Sequence, residues 1–163
     1  MNLRDILYAF ASLSFAVVIG AAVYEHLAVV PRWAAAPPVS LSMFQGPYGL
    51  NPGIFWQMIH PVTLLLMIFS LVVFWKASRK KNIVITLISY VIILIITAIY
   101  FVPELLEITG TPYSKIVDEA LIKRAKLWEV LSIIRMFILI ALSIIFFLGL
   151  TKPSLKQSST KNI

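Results

Sequence analysis

Long apolar runs separated by short polar stretches organise this chain. Four runs rich in Leu, Ile, Val and Phe fall near residues 6–30, 54–75, 83–102 and 127–150. Each approaches or exceeds the ~20 residues a helix needs to cross a hydrocarbon core. None alternates as a strand would, which disfavours a membrane barrel. The pattern predicts an all-α fold, a single four-helix transmembrane bundle over 1–150, followed by a flexible basic cytoplasmic tail over 151–163. Residues 112–126 are amphipathic, with Ile116, Val117, Ala120 and Leu121 on one side. They predict an extracytoplasmic amphipathic helix feeding into the last span, with Thr111 as N-cap and Pro112 at the first helical position.

The breaks between runs are informative. Residues 31–53 hold the turn signals Pro37-Pro38, Gly46-Pro47 and Asn51-Pro52-Gly53. They also hold Val39, Leu41, Met43, Phe44 and Leu50, too apolar for a free linker, so this loop is expected to lie across the bundle mouth. Trp33, Trp56 and Trp128 are expected to mark one membrane interface and Trp75 the other. Ser12, Ser14, Ala16, Gly20, Ala21 and Ala22 allow close helix approach in the first span. Gly20-Ala21-Ala22 resembles a cleavage site, but the apolar run exceeds a signal core, so a retained span is expected.

Composition narrows the class. With 60% hydrophobic residues, 13% charged residues and a mean hydropathy of +0.93, the chain is too apolar for an ordinary soluble domain. Its net charge of +7 reflects where Lys and Arg fall. Arg4, Lys76, Arg79, Lys80, Lys81, Lys152, Lys156 and Lys161 lie on one side, and Arg32, Lys115, Lys123, Arg124 and Lys126 on the other. The positive-inside bias then predicts both termini and the 76–82 loop in the cytoplasm, in a bacterial inner membrane. The lipid bilayer is the expected partner, and no basic fold suits nucleic acid. The absence of cysteine excludes disulfides and thiolate chemistry.

Candidate chemistry sits at one depth. Glu25, His26, His60, Glu104, Glu107 and Glu129 fall near the same predicted face of four spans, with Arg135 close by. Ionisable groups in a span cost about 2.5–3.5 kcal/mol each at mid-helix, so a cluster of them is a candidate site. Four carboxylates against Arg135 leave unbalanced negative charge, which protonation, water or a cation must relieve. All six are therefore candidate ligands for a divalent transition metal (Zn, Fe, Mn or Cu). The chain lacks the paired Glu-x-x-His motifs of di-metal bundles, so that signal is compositional. Haem held by His26 and His60 would leave no reserve histidine. Plain interfacial hydrogen bonding competes for each histidine taken alone, and solvation at helix ends for Glu25, Glu104 and Glu107.

Arg135 is expected to pair with a carboxylate from another span, Glu25, Glu104 or Glu107, because Glu129 projects about 120° away on the same helix. Trp128, Ser132 and Arg135 recur at i, i+4 and i+7 and form one face. Tyr100, Glu104 and Glu107 do the same if the third helix continues through Pro103. With Tyr100 these make a candidate substrate surface for a planar, oxygen-bearing lipophile such as a quinone, phenol or anthrone. Glu129 and His60 are the candidate catalytic groups. Packing plus one salt bridge is the competing reading of the same residues.

The layout and the stretch Trp128-Glu129-Val130-Leu131-Ser132-Ile133-Ile134-Arg135 resemble the small anthrone-oxygenase-like membrane proteins, as does the run Gly20…Glu25…Pro31. The resemblance implies oxidation of polycyclic phenolic substrates and reaches only Trp128, Arg135 and Glu25. The expected function is an integral membrane protein with an outward-facing Glu/His/Arg pocket for a metal ion or an oxygenated lipophile, in the oxidoreductase class. A small proton-coupled transporter and a non-catalytic partner subunit are the alternatives. The inner halves of spans two to four hold only Ser70, Thr86, Ser89 and Ser143 as polar groups, which weighs against a through-pathway.

Overall fold

The computed structural model describes residues 2–153. Four helices are long and apolar enough to cross a membrane: α1 (Leu3–Trp33), α2 (Gly53–Val73), α3 (Lys80–Thr109) and α4 (Glu119–Phe147). This is the architecture of a multi-pass integral membrane protein, all-helical throughout the described residues. Each helix packs on its neighbours in chain order, α1 on α2, α2 on α3, α3 on α4, and α4 back on α1. The result is a closed up-down-up-down ring.

Two spans run longer than their hydropathy suggests because helix continues through a proline. In α1 the α-helix gives way to a π turn over Glu25–Val29 and resumes at Val30-Pro31. In α3 the same happens over Thr97–Phe101, before Val102-Pro103. A helical proline has no N–H to donate and its ring crowds the carbonyl four residues earlier. Those carbonyls belong to Leu27 and Ile99, each at the centre of its π turn. The widened turn accommodates the crowding, so the helix bulges rather than breaks.

Two apolar clusters fill the ring. One, toward the chain termini, gathers Tyr8, Phe15, Met67, Phe74, Tyr90 and Phe146. The other lies at the opposite end, under the 31–53 loop, and joins Trp33, Leu41, Phe101, Ile108, Leu121 and Trp128. The loop therefore does cover the bundle mouth, through a 3-10 turn at Val39–Phe44 that buries Leu41. Trp33 and Trp128 are buried core residues meeting edge-to-face at 5.5 Å, not the interface anchors expected of them. Trp75 stays exposed, with Lys80 Nζ 3.6 Å from its ring centroid.

The last helix starts later than the Thr111-Pro112 signal suggests. Thr111 Oγ1 instead donates back to Glu107 O at the end of α3 (3.1 Å). The cap is Asp118, whose Oδ1 accepts from the N–H groups of Ala120 (2.8 Å) and Leu121 (3.1 Å). Residues 119–126 form the first turns of α4, continuous with the span. Of the expected tail, residues 154–163 lie outside the described residues.

Candidate functional site

The seven residues singled out in the sequence divide into two groups. Glu104 and Glu107, one turn apart near the end of α3, both bind Arg124 of α4. Arg124 Nε–H and Nη2–H donate to Glu104 Oε1 (2.7 Å) and Oε2 (2.9 Å), and Nη2–H also donates to Glu107 Oε2 (2.6 Å). This fork clasps α3 to α4 at the loop end, and both carboxylates are spent on it. Glu129 is largely covered and bonds Lys126 Nζ at 3.0 Å, one turn away on its own helix.

The second group gathers around Arg135. Its Nη1–H donates to Thr97 Oγ1 (3.0 Å) and its Nη2–H to Ser132 Oγ (2.9 Å). Its guanidinium carbon lies 4.2 Å from the ring centroid of Phe101, a cation–π contact. Thr97 and Phe101 are the first and last residues of the α3 π turn. The expected carboxylate partner is not in contact. Among the described residues no Asp or Glu oxygen lies within 4.0 Å of Arg135. Glu25, His26 and His60 do lie close enough to feel its charge directly. Two of the five guanidinium N–H donors are used, which leaves three for another acceptor.

The histidines are positioned from behind. His26 Nδ1 lies 2.7 Å from Ala22 O and must donate, because a carbonyl only accepts. Its Nε2 lies 3.0 Å from Ser132 Oγ, the same hydroxyl that accepts from Arg135. In a neutral imidazole that Nε2 accepts the Ser132 proton, and both ring nitrogens are then occupied. His60 Nδ1 lies 2.6 Å from the buried hydroxyl of Tyr90. Its ring stacks on Trp56 (5.2 Å, 21°), and Trp56 Nε1–H donates to Glu25 Oε1 (2.8 Å). The line Glu25–Trp56–His60–Tyr90 thus ties α1, α2 and α3 together beside Arg135.

This differs from the expected metal set in a specific way. Among the described residues no three His, Asp or Glu side chains come together to hold a metal ion. Glu104 and Glu107 are drawn away by Arg124, Glu129 by Lys126, and His26 by Ala22 and Ser132. Of the expected substrate surface, Ser132 and Arg135 are in contact, and Trp128 packs just above them, donating Nε1–H to Phe101 O (2.9 Å). Phe101, rather than Tyr100, lies under the guanidinium. The extra residue of the π turn shifts the facing of everything beyond it, which a uniform 3.6-residue count misses. Thr97, Phe101, Trp56 and Tyr90 are site residues that the sequence reading did not place. The proline six residues after Thr97 was the available signal for the bulge.

Arg135 and His60 are each partly accessible, whereas Ser132 is fully buried. Two surface concavities lie elsewhere, between Pro38 and residues 111–119 and along Trp75–Ser78. The chain matches no family model, no curated protein and no solved structure.

Proposed function

We propose that this integral membrane protein binds a lipophilic, oxygen-bearing small molecule of the quinone, phenol or anthrone class, with Arg135 as its anchor. The observation that carries the reading is an arginine inside a membrane bundle held by two hydroxyls and an aromatic face instead of a carboxylate. A guanidinium cannot shed its charge, so its unspent donors favour an acceptor. Glu25, within electrostatic reach, balances the charge without occupying those donors. Trp56 and Phe101 supply flat apolar walls, and His60 adds a polar edge.

The enzymatic form of this reading is an oxidoreductase or oxygenase acting on the bound ring. The likeness of the Trp128–Arg135 stretch to anthrone-oxygenase-like proteins points the same way, with Trp128, Ser132 and Arg135 on one face. His60 stands nearest to a proton-donating role, while Glu129 supports His26 by its charge. In this proposal the loop end faces away from the cytoplasm of a bacterial inner membrane and both termini lie inside.

Titration with a hydroxyanthraquinone, followed by quenching of tryptophan fluorescence, tests the reading. Trp56 and Trp128 flank the site, so saturable quenching is expected in wild-type protein and only the shallow, non-saturating quenching of partition into detergent in Arg135→Leu. Equal saturable quenching in both would remove Arg135 as the anchor.

A proton-coupled carrier is a second reading, favoured by one observation. Beyond the site, Ser12, Ser14, Thr63, Ser70, Thr86 and Ser143 are all buried between the helices, so polar groups continue toward the termini. Ser12 Oγ and Ser70 Oγ have no protein partner among the described residues. Potential-driven acidification of proteoliposomes, above the rate of protein-free vesicles, would favour this reading over the first.

A further inference from the structure

A buried hydroxyl lies behind His60, and its proton can be placed. Tyr90 Oη lies 2.6 Å from His60 Nδ1. Tyr90 is fully buried, and among the described residues His60 Nδ1 is the one hydrogen-bond partner of its hydroxyl. A stranded buried donor is costly.

A proton on His60 Nδ1 would point at the Tyr90 oxygen and leave the Tyr90 proton facing no acceptor among the described residues. Tyr90 therefore donates and Nδ1 accepts, and a neutral imidazole then carries its proton on Nε2. That nitrogen has no protein partner among the described residues. A lone pair for a metal ion is present on neither nitrogen.

We propose that Tyr90 holds His60 as the Nε2–H tautomer, so that His60 and Arg135 together donate to the carbonyl oxygen of a neutral lipophile, a quinone or ketone. This rests on the reading of Arg135 as ligand anchor and narrows it. A carbonyl oxygen has two in-plane lone pairs and no proton of its own to place, which matches two donors from α2 and α4. A phenol or quinol must also dispose of its hydroxyl proton, for which neither group offers an acceptor. A carboxylate would bring a charge that Glu25 already supplies. Tyr90 is a positioning residue in this account, and His60 the residue that touches ligand.

The chain has only two histidines, so 15N-histidine NMR of the protein in nanodiscs at neutral pH resolves the tautomers directly. The expected spectrum has His60 protonated at Nε2 and unprotonated at Nδ1. Decylubiquinone should shift the His60 Nε2 signal and bind about tenfold more tightly than its quinol, the effect of one hydrogen bond. Tyr90→Phe keeps the ring that packs at 5.1 Å on Phe15 but should mix the tautomers and weaken quinone binding by a similar factor. A proton on Nδ1 in the wild type would overturn the proposal. So would quinol binding as tightly as quinone, or displacement of the quinone by oleate at equal concentration. If the quinone leaves His60 unshifted while hydroxyanthraquinone still quenches saturably through Arg135, the carbonyl assignment fails and the anchor stands. Loss of both responses removes the anchor as well.

Discussion

His26 and Arg135 meet on one hydroxyl: Ser132 Oγ lies 3.0 Å from His26 Nε2 and accepts Arg135 Nη2–H at 2.9 Å. Ser132 is fully buried, so its removal leaves two polar partners on different spans without their shared contact. Ser132→Ala should lower stability by about 1–3 kcal/mol, the range for stranding a buried polar group. Thr97→Val, which removes the other Arg135 contact but keeps the shape, should cost about 1 kcal/mol. Melting temperatures in one detergent give the ranking, and a harmless Ser132→Ala would mean that the hydroxyl bridge does not hold the site.

Gly149 lies against Tyr8 at the terminal end of the bundle. A Cβ added there would collide with Tyr8 Oη and sit 2.9 Å from Phe146 O, the carbonyl to which Tyr8 donates at 2.6 Å. Gly149→Ala should destabilise by about 1–3 kcal/mol, as overpacking does. In a Tyr8→Phe background the same change should cost less, because the colliding oxygen is gone. Additive losses in the double variant would contradict this packing.

Arg79 is a buried cation that the basic loop conceals. Its Nη1–H donates to Asp5 Oδ1 (2.6 Å) and its Nε–H to Lys152 O (2.7 Å), while its guanidinium covers Phe74 at 4.9 Å. Asp5 is about a third exposed, so Asp5→Asn should cost less than the ~3–5 kcal/mol typical of a fully buried pair. It should still cost more than Glu107→Gln at the exposed fork, where surface pairs contribute about 0–1 kcal/mol. Chemical denaturation of the two variants in parallel gives the order, and an equal or reversed order would contradict the structural role of Asp5.

The spans were legible because an apolar run of the right length has few other uses. What hydropathy misses is that α1 and α3 pass through Pro31 and Pro103, since the π turns that accommodate these prolines leave no mark in hydropathy. Composition singled out the ionisable residues near the span ends, but not their partners. Charge counting pointed Arg135 toward a carboxylate, whereas Thr97 of α3 and Ser132 of its own helix hold it. Arg124 claims Glu104 and Glu107 through a contact between residues 17 and 20 positions apart, which no local pattern encodes. The Tyr90–His60 bond joins two helices through residues 30 apart in the chain and emerges only once they are packed. Trp128, Ser132 and Arg135 were read correctly as one face because no bulge interrupts α4 between them.

Orientation rests on the basic 76–82 loop. Single cysteines at Ser78 and Ser114 in this cysteine-free chain should respond oppositely to a membrane-impermeant thiol reagent in intact cells. Ser114 is expected to label and Ser78 to resist until the cells are opened. The opposite pattern would invert the protein in the membrane.

The central claim is that a lipophile binds at Arg135, and photolabelling with an azidoquinone followed by peptide mapping tests it most directly. The account predicts labels concentrated on the peptides that carry Trp56–His60, Thr97–Phe101 and Ser132–Arg135, competed by excess unlabelled quinone and lost in Arg135→Leu. Labels spread over the lipid-facing residues of all four helices, insensitive to competitor and unchanged in Arg135→Leu, would contradict it.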